Sequence, residues 1–144
     1  MDAVLIEIDS ENVAAAQRAA ARAGLTQLEA VEADASTSDV YAPYVPGDIV
    51  LACGVFGNIS DGDLEETIRH LSMLCGEGAA VIWTRHWKEP VLIARIQQWF
   101  AESGFGNLSY DALENAKKTG VGVALLKQPP LRFQPGYRFF TFLR

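Results

Sequence analysis

Val4–Leu25 reads VLIEIDSENVAAAQRAAARAGL, and this stretch decides the fold. Val4, Leu5, Ile6 and Ile8 make a short apolar run with β-branched members, closed by Asp9. Such a run predicts a strand over Ala3–Ile8, buried on both faces as in a parallel sheet. Ser10 then suits a helix N-cap, and Glu11 suits the positive end of a helix dipole. The alanine-rich segment that follows predicts a helix to about Ala23, with Gly24 at its C-cap. Val13, Ala16, Ala20 and Ala23 fall on one face, small enough for the helix to lie close to a sheet. An acid at the carboxyl end of such a strand points into the crevice where open α/β sheets bind ligands.

Outward from there, Leu28–Ala33 predicts a second strand, again followed by an acid, Asp34. Asp39–Gly47 predicts a loop, since Pro43 and Pro46 exclude regular structure. Asp48–Cys53 (DIVLAC) is the most central-looking strand, and it runs into the glycine-flanked turn Gly54-Val55-Phe56-Gly57-Asn58. Ser60 and Asp63 resemble a capping box. The helix after them carries Leu64, Ile68, Leu71 and Cys75 at the 3.6-residue period, with Gly76 and Gly78 ending it. Ala79–Trp83 predicts a strand and Thr84-Arg85-His86-Trp87-Lys88 a polar, aromatic loop. Pro90 opens a helix that buries Leu92, Ile96, Trp99 and Phe100 and stops at Gly104. Asn107–Leu113, Val121–Leu126 and Arg138–Leu143 read as β segments joined by the turns Lys118-Thr119-Gly120 and Gln134-Pro135-Gly136. Connections this short favour antiparallel pairing. The whole predicts one α/β domain over 1–144: a mostly parallel sheet, helices on both faces, and an antiparallel C-terminal strand or hairpin.

Composition narrows the partners. The 144 residues suffice for one domain with a core, and 49% hydrophobic with 21% charged residues is ordinary for a globular chain. A net charge of −6 argues against a nucleic-acid partner, which is bound through a basic face. No apolar run approaches the roughly 20 residues of a membrane span. No basic stretch followed by an apolar core marks a signal peptide, so a cytoplasmic protein is expected. Cys53 and Cys75 both lie in apolar surroundings and read as buried, reduced thiols; no Cys/His spacing suggests a metal site.

The acids are the strongest candidates for chemistry. Asp9 can accept both hydrogen bonds of a ribose diol, or it can help to cap the helix beginning at Ser10. Asp34 can accept from an amino group such as that of adenine, or it is an ordinary strand-end acid. Adjacent parallel strands would bring the two to the same edge of the sheet. His86 is the candidate base, and Arg85 can pair with an anionic group on an acceptor or with a surface carboxylate. Trp83 and Trp87 can floor a pocket or build the core. His70, inside a helix, reads as structural.

EIDSENVAAAQRAAARAGL, then VEADAS, then GDIVLACGVFGNISDGDLEETIRHLSMLCGEGAAVIWT resemble the class I S-adenosylmethionine-dependent methyltransferases, in order and spacing, from Ala3 to about Trp87. The resemblance implies a Rossmann-like three-layer sandwich and an enzyme that methylates an acceptor with S-adenosylmethionine. Asp9 matches the acid on the ribose hydroxyls. Asp34 matches the acid beside the adenine amino group, with Ala35 near the ring edge. Gly54 and Val55 match the strand end facing the methionine part, and Phe56 and Asn58 would line the way to the acceptor. No Asn-Pro-Pro-Tyr or Asp-Pro-Pro-Tyr follows the central strand, which ends Cys53-Gly54-Val55-Phe56. With the acidic charge, that favours a small-molecule acceptor.

One departure is large. The family's first strand and its glycine-rich turn have no counterpart here, and that strand lies mid-sheet, between Ala3–Ile8 and Asp48–Cys53. The domain is therefore expected to be N-terminally incomplete. In other resolutions of the gap, the flanking strands pair directly or a second chain supplies the strand. A rival reading is a non-catalytic methyltransferase-like binding module whose open strand edges take a partner or a second copy, as in a homodimer. A dinucleotide-binding fragment fits less well.

Overall fold

Strand β1 (Ala3–Glu7) pairs in parallel with β2 (Leu28–Glu32), in register from Ala3↔Leu28 to Glu7↔Glu32. Helix α1 (Ser10–Arg22) makes the crossover and buries Val13 and Ala20. The computed structural model describes residues 1–114 and 118–143. After β2 come a 3-10 turn at Ser38–Tyr41, strand β3 (Gly47–Ala52), helix α2 (Asp61–His70) and a second 3-10 turn at Leu71–Leu74. Strand β4 (Cys75–His86), helix α3 (Pro90–Glu102) and strands β5 (Phe105–Ala112) and β6 (Thr119–Leu126) complete the elements. Pairing runs in the order β3-β4-β6-β5, with β3 parallel to β4 and β6 antiparallel to both of its neighbours. The α/β architecture, the parallel pairs and the antiparallel hairpin are those expected from the sequence.

Several boundaries differ, each for a tertiary reason. Helix α2 ends at His70, and the 3-10 turn after it delivers Cys75, Gly76 and Gly78 into β4. The loop expected at Thr84-Arg85-His86 is the end of β4, held by Thr84↔Val121, Arg85↔Gly120 and His86↔Thr119. Thr119 and Gly120 belong to β6 rather than to a turn, and part of the β5–β6 connection lies outside the described residues. Arg138–Leu143 is no sheet strand; it makes the isolated bridges Thr37↔Arg138 and Ile59↔Phe142.

The expected burial of the first and third strands is also corrected. Leu5 and Ile8 are 44% and 67% exposed, and Ile49 and Leu51 are 53% and 65% exposed. Strands β1 and β3 are not paired with each other: β1 and β2 form a two-stranded sheet separate from the four-stranded one. Each of the two therefore has a hydrogen-bonded neighbour on one side only, and direct pairing across the gap is not how the fold resolves it.

The core sits on the four-stranded sheet, where Phe56, Leu64, Ile68, Val81, Ile96 and Phe100 are fully buried and Trp83 is 1% exposed. Trp83 and Tyr110 stack at 5.2 Å with planes 20° apart, and Gly122 of β6 pairs with both. A Cβ on Gly122 would come within 2.0 Å of the Trp83 ring, so the glycine is there for space. What looks like a glycine motif in the C-terminal part is thus a seat for an indole.

The C-terminal tail stitches the two sheets. The amide of Ser38 donates to the Tyr137 carbonyl at 2.8 Å, and the Phe139 amide donates to the Ser36 carbonyl at 2.8 Å. The Ser38 hydroxyl donates to the Gln134 carbonyl at 2.6 Å and accepts from the Tyr137 amide at 2.9 Å. Farther on, the Thr141 amide donates to Asp63 and the Leu143 amide to the Asn58 carbonyl, each at 2.9 Å. The tail thereby covers Tyr41 and the α2 face, where Phe139 and Phe140 are buried.

Gly122→Ala will lower stability by about 1–3 kcal/mol or more, because Trp83 must leave its seat. Ser38→Ala will lower it by about 1–3 kcal/mol, since its hydroxyl is wholly buried and two backbone groups lose their partner. Urea midpoints against wild type check both, and unchanged midpoints would contradict the packing and the stitch respectively.

Candidate functional site

The carboxyl ends of the parallel strands gather the candidate residues. Because Glu7 and Glu32 are in register, Asp9 and Asp34 each lie two positions beyond a paired strand end. On the other sheet Gly54 lies two positions beyond Ala52, which pairs with Trp83 of β4, and His86 ends β4.

Asp9, rather than Ser10, is the N-cap of α1. Its Oδ1 accepts from the amides of Glu11 at 2.8 Å and Asn12 at 3.2 Å. Both alternatives for Asp9 are chemically compatible, since the cap bonds use one carboxylate oxygen and a ribose hydroxyl can use the other.

Asp34 folds back on its own loop, its Oδ1 accepting from the Ser36 amide at 2.9 Å. Arg138 of the tail reaches the same place: Nη1 donates to the buried Ser36 hydroxyl at 2.6 Å and lies 3.7 Å from Asp34 Oδ2. The hydroxyl of Ser36, then its amide, then the Arg138 charge hold the Asp34 carboxyl below the usual carboxylate range. Next along, the Ala35 carbonyl accepts from the Tyr41 hydroxyl at 2.7 Å. Burial, with the Asp34 charge adding, pushes the Tyr41 phenol up to about 12.

Gly54 has φ +74, a conformation that a side chain disfavours. Its amide donates to Thr84 Oγ1 at 3.0 Å, and its carbonyl accepts from Asn58 Nδ2 at 2.6 Å. Asn58 is thus tied into the turn, its amide donating to the Val55 carbonyl at 2.9 Å. Phe56 is fully buried, so its ring faces the core and not an open path. Arg85 is engaged too: it donates to the Phe56 carbonyl and pairs with Glu89 at 3.3 Å, its side chain 11% exposed. These bonds brace the turn from β4. His86 is exposed.

Cys53 is exposed, contrary to the expected burial, because it lies just past the end of β3. Cys75 is buried, and burial alone pushes its thiol up to about 12. Among the described residues no three or more His, Cys, Asp or Glu side chains gather into a group that could hold a metal ion.

Ala35, Val55 and Phe56 line one apolar cavity of about 60 Å³ together with Tyr41, Leu51 and Phe139. That is smaller than a usual ligand pocket, which measures about 300–1,000 Å³. Outside it, Asp9 keeps one carboxylate oxygen free of the cap bonds, and Asp34 is half-buried beside Ser36 and Arg138. The sequence reading missed Ser36, Thr84 and Arg138. Arg138 is 104 positions from Asp34, and nothing local announces that meeting.

Since Asp34 is held below its ordinary value of 3.8, its stabilising contribution is present above that pH. It is lost as pH falls through the lowered folded-state value. The Tm difference between wild type and Asp34→Asn will therefore be largest near neutrality and will close in acid; a pH-independent difference would contradict this.

No family model matches the chain, and no curated protein sequence does. Among solved structures it is similar to a methyltransferase from Pyrococcus furiosus, with TM-score 0.67 and 14% identity over 88% of this chain and 64% of that one. It is also similar to cofactor-bound Rv0187 from MTB, with TM-score 0.67 and 18% identity over 88% of this chain and 62% of that one. A third, described as a possible exported protein from Bordetella parapertussis, has TM-score 0.68 and 19% identity over 88% of this chain and 54% of that one. The chain thus spans between about half and two thirds of the length of these structures. Among the described residues no helix is long and apolar enough to cross a membrane. At these identities the likeness is one of fold, and the fold is similar to the Rossmann-like folds of methyltransferases.

Proposed function

We propose that this chain carries out S-adenosylmethionine-dependent methyl transfer to a small-molecule acceptor, on a Rossmann-like three-layer sandwich. The observation that carries the reading is the registered pair of acids, Asp9 and Asp34, past the carboxyl ends of adjacent parallel strands in a methyltransferase-like fold. In this reading Asp9 binds the ribose hydroxyls and Asp34 the adenine amino group, with Ala35 at the ring edge. Gly54 and Val55 border the methionine part. Asn58 holds the Gly54 carbonyl in place and Arg85 braces the same turn through Phe56. When bound, the cofactor supplies a sulfonium that already activates its methyl group, so the chain's own task is alignment. His86, exposed at the end of β4, is the group that could take a proton from the acceptor. The acidic net charge favours a small molecule over nucleic acid as acceptor.

Calorimetric titration with S-adenosylhomocysteine tests this. The folded wild type will bind. Asp9→Asn will keep the thermal stability, because asparagine caps a helix as well as aspartate does, yet will weaken binding by about tenfold or more through loss of the carboxylate. Asp9→Ala will lose binding and in addition about 1 kcal/mol of stability. A folded wild type that binds nothing would overturn the reading in favour of a non-catalytic module with the same fold.

A further inference from the structure

We propose that Arg138, delivered by the C-terminal tail, forms with Asp34 a donor–acceptor pair that selects adenine at the base end of the nucleoside subsite. The inference rests on the reading of Asp34 given above. One end of the Arg138 guanidinium is anchored, since Nη1 donates to the hydroxyl of Ser36, a residue only 2% exposed. The rest of the side chain is open, with Arg138 57% and Asp34 43% exposed. The backbone around both is fixed: the Phe139 amide donates to the Ser36 carbonyl, and Thr37 bridges Arg138 in antiparallel pairing. A carboxylate and a guanidinium thus stand side by side at a strand end: Asp34 Oδ1 accepts from the Ser36 amide, Arg138 Nη1 donates to the Ser36 hydroxyl and lies 3.7 Å from Asp34 Oδ2, and both side chains are partly exposed.

Such a pair has a definite preference. A carboxylate accepts only, and a guanidinium donates only. Adenine offers an amino donor next to a ring-nitrogen acceptor, which answers both. Hypoxanthine puts a carbonyl oxygen where the amino group stood, and that oxygen would face the carboxylate. Selection by unmatched polar groups is stronger than selection by shape. Arg138 also favours the ionised form of Asp34, as does Ser36, so the acceptor stays an acceptor. Lysine could keep the charge but not the planar fork.

The test is calorimetric titration of wild type, Arg138→Ala and Arg138→Lys with S-adenosylhomocysteine and with its deaminated counterpart, S-inosylhomocysteine, each protein first matched for folding by its melting curve. Wild type will prefer the adenine compound by about tenfold or more, the worth of one charge-assisted hydrogen bond. Arg138→Ala will bind the adenine compound about tenfold more weakly and lose most of the preference. Arg138→Lys will keep the fold but only part of the preference, an outcome that a purely structural role for the tail would not produce. Wild-type binding with an unchanged preference in Arg138→Ala overturns the proposal and leaves the methyltransferase reading standing. Wild type that binds neither compound overturns both.

Discussion

The tail-to-loop stitch, Ser36 and Ser38 against Tyr137 and Phe139, is the interaction on which the remaining architecture depends. Strands β1 and β3 share no ladder, so the usual continuous sheet does not hold the two halves together. A two-stranded sheet is marginal on its own. The tail answers this with backbone hydrogen bonds at one end and with Phe139 and Phe140 buried over α2 at the other. Ser36 and Ser38 can be buried because both hydroxyls, the Ser36 carbonyl and the Ser38 amide are partnered with that tail and the Ser36 amide with Asp34, which is the condition under which polar groups enter a core.

The same stitch shapes the site. Asp34 lies at the start of the stitched loop, and the residues that lower its pKa, Ser36 and Arg138, are the ones through which the tail attaches. Asp9 is likewise both structural and available, an N-cap through one oxygen with a second oxygen beyond the cap. On the opposite side, Thr84 and Arg85 of β4 hold the Gly54–Asn58 turn by side-chain bonds to its backbone. The candidate crevice is therefore built from strand ends whose side chains secure backbone first and face solvent second.

Much of this was legible in the sequence, and the misses share a cause. The strand–helix alternation, the capping serine at Ser60, the Pro90 helix start and the antiparallel hairpin all follow from local pattern, and all stand in the structure. Thr84-Arg85-His86 reads as loop because it is polar, but β6 supplies a partner and extends the strand. Arg138–Leu143 reads as strand because it is apolar and aromatic, but its hydrogen bonds go to a loop and a turn. Gly120-Val121-Gly122 carries no cue that an indole and a phenol lie over it from neighbouring strands.

By itself, then, the sequence determined most of the elements, their order and the two acids past the strand ends, since these follow from hydrophobic period, caps and breakers within a few residues. Only the tertiary structure decided that β1 and β3 stand apart, that Phe56 is core, that Arg85 is occupied by the turn it braces, and that Arg138 meets Asp34. Those outcomes depend on which distant backbone groups remain to be paired once the strands are laid down, and no local pattern encodes that remainder.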